Sequence, residues 1–253
     1  MKKGVGERAE LKRKVLVGGV YDVTARYYDK IYAFKDYQAE AERLVAFIRV
    51  LRPEAGGRLL DVACGTGAHL VHLREHFQVE GLDLSPVMLE AARKKLPDVA
   101  FHEADMTDFE LDRRFDVVTC LFSSIGYAVT EDALRRAVGC MARHLVPGGV
   151  LALEPWFTPT TWRPGTVHLL TVDEPELKIA RVSTSFAEGR LSYFDLHLLV
   201  ATPDGTEHGI ERHEMGLFER GEVEGALRAA GLEPSYDDRG LDGRGLHLGL
   251  KIR

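Results

Sequence analysis

The chain has 253 residues, 45% of them hydrophobic and 28% charged, and a formal net charge of −6. That composition is globular and long enough to bury a large core, and the acidic balance argues against a nucleic-acid partner, which calls for a basic face. Cys64, Cys120 and Cys140 stand at no metal-ligand spacing, so no metal is expected, and their odd number without a secretory signal indicates a reducing, cytoplasmic setting. No run of about 18 apolar residues occurs, which predicts no membrane span.

Residues 1–19 mix Lys, Arg, Glu and Gly and read as a mobile or loosely helical extension, the alternative being a basic partner-binding arm. Tyr21, Tyr27, Tyr28 and Tyr32 then crowd one short stretch. Tyr28 and Tyr32 share a face at helical spacing. Their rings either pack that helix onto the domain or form a lid whose hydroxyls reach a ligand. A helix is predicted over 38–51, ended by Pro53 and Gly56-Gly57.

From there strands and helices alternate. The pattern predicts strands at 58–63, 79–83, 99–102, 115–120 and 150–154, with helices at 68–76, 86–95 and 131–144. Ser85 caps the second of these helices and Pro86 starts it. Pro147-Gly148-Gly149 is expected to stop the third. Runs without alternation, such as Val117-Val118 and Leu151-Ala152-Leu153, suit strands buried on both faces of a parallel sheet with right-handed crossovers.

After Pro155 the pattern changes. Four alternating stretches between Val167 and Phe218, turned at Gly189 and at Pro203-Asp204-Gly205, predict an antiparallel meander over one end of the sheet. A helix over 219–230 and strands near 233–237 and 246–252 close the chain. The expected division is a flexible extension, 1–19, an α/β ligand-binding domain made of 20–155 and 219–253, and an antiparallel β cover, 156–218.

An open parallel sheet binds ligands beyond the carboxyl ends of its strands. The first strand feeds Cys64-Gly65-Thr66-Gly67, a turn whose glycines let a ligand approach the backbone, with a helix N-terminus beyond. The second strand ends in Asp83, placed to accept from both hydroxyls of a ribose. Asp105 after the third strand can accept from an exocyclic amine, and Met106 can pack on a base. The glycines are spaced G-x-G with no third glycine and no G-K-[ST], so no pyrophosphate cradle is present. S-adenosylmethionine (SAM) is favoured over a dinucleotide or ATP.

Asp61-Val62-Ala63-Cys64-Gly65-Thr66-Gly67, Gly81-Leu82-Asp83-Leu84-Ser85, Ala104-Asp105-Met106 and Pro147-Gly148-Gly149 resemble the motif set of the SAM-dependent methyltransferases, whose sheet is Rossmann-like. A second group of stretches narrows the resemblance: Tyr28-Asp29-Lys30-Ile31-Tyr32, Phe122-Ser123-Ser124-Ile125-Gly126, Glu154-Pro155-Trp156, Arg181-Val182-Ser183, Leu217-Phe218-Glu219-Arg220 and Gly243-Arg244-Gly245-Leu246. These are similar to the N,N-dimethyltransferases that act on TDP-linked 3-amino-3,6-dideoxyhexoses in macrolide antibiotic biosynthesis.

The resemblance implies that Tyr37, Ala63, Gly65, Gly67, Asp83, Leu84, Asp105, Met106 and Leu121 serve SAM. It implies that Tyr32, Trp156, Arg181, Ser183 and Arg244 approach the nucleotide-sugar. An arginine fork suits a pyrophosphate; the alternative for Arg181, within a strand, is an exposed face or an ion pair. Tyr32 and Tyr127 are the expected catalytic residues. Related aminosugar enzymes carry a His where Tyr127 stands. A phenol, which ordinarily ionises near pH 10, about three units above neutrality, is a poor base, but it can orient an amine. His168, His197, His208 and His213 fall in the cover and read mostly as strand-face residues. Two alternatives remain: methylation of a different small acceptor at oxygen or nitrogen, and a catalytically silent SAM-binding module. The reading is compatible with a homodimer. No [DN]-P-P-[FY] follows the fourth strand, as a flipped base would require.

Overall fold

The computed structural model describes residues 14–17, 24–53 and 56–252. The expected extension lies outside these residues except at 14–17, and Tyr21 lies outside them too. Where it is described, the extension is extended rather than helical. β1 (Lys14–Val17) is a strand. Val15 and Val17 favour extended backbone, and a sheet edge further along the chain offers the ladder.

A 3-10 turn (Thr24–Tyr27) leads into the single turn α1 (Tyr28–Ile31) and then α2 (Tyr37–Leu51). Asp36 caps α2 by accepting the Ala39 N–H at 2.9 Å. The strand–helix alternation follows as β2 (Arg58–Val62), α3 (Ala68–Leu73), β3 (Gln78–Asp83), α4 (Pro86–Lys95), β4 (Ala100–Glu103), β5 (Phe115–Cys120), α5 (Glu131–Arg143) and β6 (Leu145–Leu153). The cover is β7 (Val167–Glu174), β8 (Leu177–Glu188), β9 (Leu191–Thr202) and β10 (Gly205–Gly216), and α6 (Arg220–Ala229), β11 (Leu232–Asp237) and β12 (Leu246–Lys251) finish the chain.

Seven strands form one sheet in the order β11-β12-β6-β5-β2-β3-β4. The five from β6 to β4 are parallel, and β12 and β11 add antiparallel at one edge. Leu59, Val117, Val150 and Ala152 face a core shared with α2, α3 and α4. Leu60, Val62, Val118, Leu151 and Leu153 face the opposite core, shared with α5 and α6. Both faces are dry, so these strands carry no polar alternation.

Two boundaries differ from expectation. α3 stops at Leu73, and the chain to Phe77 is held by turn bonds, with the N–H groups of His76 and Phe77 donating to the Leu73 carbonyl at 3.0 and 3.1 Å. α5 ends at Arg143 with His144 as its cap, so Pro147-Gly148-Gly149 does not stop it but lies inside β6. Pro147 has no N–H to give the ladder. The pairing of β6 with β5 therefore starts at Phe115↔Leu145, shifts register, and resumes at Val117↔Val150.

The second sheet has the order β1-β10-β9-β8-β7 and is antiparallel except for β1, which runs parallel to β10. Ile31 of α1 inserts into a cluster with Ile179, Leu196, Leu198 and Val200 of this cover. The N-terminal segment is thereby packed onto the cover. Among the described residues no helix is long and apolar enough to cross a membrane.

Candidate active site

Two cavities meet beyond the carboxyl ends of the parallel strands. The first, about 490 Å³, is walled by Ala63 and Gly65 after β2, Asp83 and Leu84 after β3, and Asp105 and Met106 after β4. Gly65 has φ +55°, and a Cβ built there would meet nothing within 4 Å, so its bare backbone opens onto the cavity. Asp83 accepts the Gly65 N–H through Oδ2 and the Ser85 N–H through Oδ1, both at 2.8 Å. Burial pushes the Asp83 carboxyl up, and these backbone bonds pull against it. A carboxylate has about four lone-pair sites, so capacity is left for a diol. Asp105 accepts the Thr107 N–H and hydroxyl through Oδ1, at 2.7 and 2.8 Å. Leu84, 66% exposed, and Met106 give apolar flanks. A bare glycine, a diol acceptor, an amine acceptor and apolar flanks fit an adenosyl group.

Three of the expected cofactor residues lie off this wall. Gly67 caps α3 at φ +73°, and a Cβ there would point at Leu96 and Ala92. Leu121 is buried in the core under α2. Tyr37, at the start of α2, sets its ring edge-on to His69 with centroids 4.9 Å apart. Burial and the Glu40 charge push its hydroxyl well above the usual range.

The second cavity, about 760 Å³, lies between the sheet ends and the cover. Tyr32, Trp156, Arg181, Ser183 and Arg244 all line it. Arg181 donates to the Tyr32 hydroxyl at 2.9 Å and lies 5.2 Å from its ring centroid. Arg244 donates to Ser123 Oγ at 2.9 Å and stands 3.3 Å from Asp242. Its guanidinium is 5.7, 5.9 and 5.8 Å from the rings of Phe122, Trp156 and Phe157. Trp156 is fixed by donating to Ser192 Oγ at 2.9 Å. Gly126 lets it approach: a Cβ there would lie 3.0 Å from the Trp156 Cβ.

The loop after β5 carries the strain. Phe122 and Ser123 are consecutive non-glycine residues at φ 51° and 61°. Three bonds hold them. The Phe122 N–H donates to Glu154 Oε2 at 2.6 Å, Ser123 Oγ donates to the Pro155 carbonyl at 2.7 Å, and Arg244 donates to Ser123. Glu154 is fully buried. Burial and the nearby Asp242 push its carboxyl up to about 7, against the pull of Arg244.

Sequence reasoning missed Lys35. Its buried ammonium is 2.7 Å from Glu40 and 4.3 Å over the Phe122 ring, on the wall of the larger cavity. Burial acts to raise the Glu40 carboxyl, but hydrogen bonds from His69 and Lys35 outweigh it and hold the group low. A Lys just before a helix and a Glu five positions on, in its first turn, give no sign in sequence of whether they pair inside or outside.

The cavities share three wall residues, Tyr28, Ser124 and Tyr127. Tyr28 sits on α1 with its ring centroid 4.6 Å from that of Tyr32. Asp29 ties α1 to the glycine turn, accepting from Thr66 at 2.6 Å and pairing with Lys95 at 2.8 Å. Lys30 ties it to the cover through Glu174 at 2.7 Å. The Tyr127 hydroxyl lies 2.7 Å from Nδ1 of His213. His213 is on the inward face of β10, where it is buried and stacked on Phe194 at 4.7 Å.

The family described as Methyltransferase domain matches residues 59–149, from β2 into β6, and, with the relatives that follow, the class of protein is a methyltransferase. The match to individual enzymes runs further. The dTDP-3-amino-3,4,6-trideoxy-alpha-D-glucopyranose N,N-dimethyltransferase of Streptomyces venezuelae is 44% identical over 236 residues, 91% of this chain and 99% of that enzyme. The dTDP-4-amino-2,3,4,6-tetradeoxy-D-glucose N,N-dimethyltransferase of Saccharopolyspora spinosa is 42% identical, over 90% of this chain and 92% of that one. The SAM-bound structure of CalS10, an amino pentose methyltransferase of Micromonospora echinaspora involved in calicheamicin biosynthesis, shares 40% identity and a TM-score of 0.80, covering 91% of this chain and 97% of that chain. With such identity along nearly its whole length, the chain belongs to the SAM-dependent N,N-dimethyltransferases of nucleotide-linked amino sugars.

Proposed function

We propose that the protein transfers two methyl groups from SAM to the amino group of a dTDP-linked amino-deoxysugar made for an antibiotic. The observation that carries this is the shared wall. A cavity fitted to an adenosyl group and a larger one lined with arginine and aromatic rings meet at Tyr28, Ser124 and Tyr127.

The bound cofactor supplies an electrophilic methyl on a sulfonium. The chain's own work is to bind, orient and keep the amine unprotonated. Asp83 and Asp105 hold the ribose and adenine edges. Arg244 and Arg181 take the diphosphate, with Ser183 beside them and Trp156 packing on an apolar face of the acceptor. Tyr32, held by Arg181, and Tyr127 orient the amine at the meeting of the cavities. Such positioning supplies on the order of 7–11 kcal/mol in the most favourable intramolecular reactions. After one transfer the methylated ammonium must lose a proton, and the larger cavity gives the resulting secondary amine room to turn the lone pair so freed to the same place. The three cysteines are free and buried, and the net charge is −6, which supports a cytoplasmic enzyme of a small acceptor over one acting on nucleic acid.

The test is mass spectrometry of reactions with SAM and dTDP-linked 3-amino, 4-amino and 3-hydroxy deoxyhexoses. Gain of one and then two methyl groups on an amino sugar is expected. Methylation of the hydroxy sugar alone, or of none of them, would overturn the proposal.

A further inference from the structure

Glu211, His213 and Tyr127 line up from the interior of the cover to the shared wall, and nothing in the reading above uses the first two. Glu211 is 1% exposed, accepts the Thr24 N–H at 2.8 Å through Oε1 and accepts the Thr24 hydroxyl through Oε2. Its Oε2 lies 3.6 Å from Nε2 of His213. His213 Nδ1 lies 2.7 Å from the Tyr127 hydroxyl. Phe194 stacks on the imidazole with an interplanar angle of 2°, which fixes the ring plane.

We infer that His213 is the proton acceptor of this enzyme, acting through the Tyr127 hydroxyl, with Glu211 holding its tautomer. This rests on the amine acceptor proposed above. A carboxylate facing Nε2 favours the proton on that nitrogen and leaves the Nδ1 lone pair for the tyrosine O–H. A phenol that donates its O–H keeps acceptor capacity on its oxygen.

An amino sugar arrives largely as its ammonium at neutral pH. One of its N–H bonds breaks, and the electron pair stays on nitrogen for attack. The proton forms a new O–H bond on Tyr127 as the original O–H proton moves to His213 Nδ1. The resulting imidazolium sits against the Glu211 carboxylate. When the methylated product leaves, the proton returns through the same hydroxyl to water entering the cavity. Tyr127 therefore conducts the proton and never has to ionise, which removes the objection that a phenol is a weak base.

Among the described residues, Glu211 and Tyr127 are the titratable groups that face the two ring nitrogens of His213. On β9, Asp195 turns away, paired with Arg212 at 2.6 Å. The other charged or titratable groups on this cavity wall are Tyr28, Tyr32, Lys35, Asp36 and Glu40 from the N-terminal segment, Arg163, His168 and Arg181 from the cover, and Asp242 and Arg244 from the last loop.

Two measurements test this. The first is the pH profile of kcat with SAM and dTDP-3-amino-3,6-dideoxyglucose for wild type, His213→Gln and Tyr127→Phe. Each variant is expected to lose about 10²-fold near pH 7. The loss should shrink to within a few-fold near pH 10, where solvent supplies the free amine. A loss of equal size at all pH values, or no loss, overturns the inference while leaving the amine-methylation reading in place. A wild-type enzyme that methylates only hydroxyl sugars overturns both. The second needs no turnover: 15N spectra of histidine-labelled protein should show His213 neutral with the proton on Nε2. A proton on Nδ1 overturns the relay, because that nitrogen could then only donate.

Discussion

Replacing Glu154 by Gln should stabilise the protein in a way that depends on pH. Glu154 is fully buried, and burial with the Asp242 charge raises its carboxyl from 4.5 to about 7 in the folded chain. A raised carboxyl binds its proton in the folded state at pH values where the unfolded chain has released it. Stability therefore falls as pH rises from about 4.5 to about 7 and is level above that. The interval of about 2.5 pH units, at about 1.4 kcal/mol each, makes the ionised group cost about 3.5 kcal/mol at pH 8. A Gln keeps an acceptor for the Phe122 N–H, which now donates to Oε2 at 2.6 Å, and carries no charge. Its amide nitrogen would take the place of Oε1, which has no hydrogen-bond partner, and that adds a cost equal at every pH. Urea unfolding of wild type and Glu154→Gln near pH 5 and pH 8 isolates the difference. Asp61, pushed to about 6 by burial, acts in the same direction, and His247, pushed to about 4 by burial, acts oppositely, but both are present in each protein. The variant should gain about 2–3 kcal/mol more at pH 8 than at pH 5. A difference that does not change with pH, or that favours pH 5, would refute the reasoning.

Other expectations separate the two ligands from each other and from the fold. Asp83→Ala should weaken binding of S-adenosylhomocysteine by about 10–100-fold in calorimetry, the value of a charge-assisted hydrogen bond or two, with the KM for the nucleotide-sugar little changed. Arg244→Ala should raise that KM by about tenfold or more with cofactor affinity kept, and unchanged steady-state kinetics would remove the diphosphate from this arginine. Gly126→Ala should destabilise the fold by about 1–3 kcal/mol in thermal melts, since the new Cβ would lie 2.7 Å from Met215 Cε and 3.0 Å from Trp156 Cβ. Gly65→Ala, by contrast, meets open space and should cost only about 1–2 kcal/mol for its left-handed backbone, while lowering cofactor affinity far more than Gly126→Ala does.

The parallel sheet was legible because its signals are local. Val117-Val118 and Leu151-Ala152-Leu153 have no polar face to show, and Gly65, Asp83 and Asp105 each sit at or just beyond a strand end. The four cover strands were legible for the opposite reason, their alternation. Features that depend on docking were not. β1 forms because β10, almost 200 residues later, leaves an edge at Glu207 to Ile210. Tyr37 and Leu121 lie next to the site in sequence, but the fold turns one toward His69 and the other into the core. His213 meets Tyr127 across 86 positions, through the seating of one sheet on the other, and although alternation puts it on the opposite face of β10 from His208, nothing in the strand says which of them meets the tyrosine. The Phe122–Ser123 strain left no mark either, since no glycine announces it.

The way α1 is seated limits how this enzyme can breathe. Its Ile31 plugs the cover's own apolar cluster, so pulling the helix away alone would wet a side chain worth about 1.5–3 kcal/mol and break the Lys30–Glu174 link as well. Its other attachment, Asp29 to Thr66 and Lys95, is polar and exchangeable with water. The weaker seam is the one against the sheet. Opening along that seam would carry α1 with the cover, and Tyr28, which lines both compartments, would leave both in the same stroke.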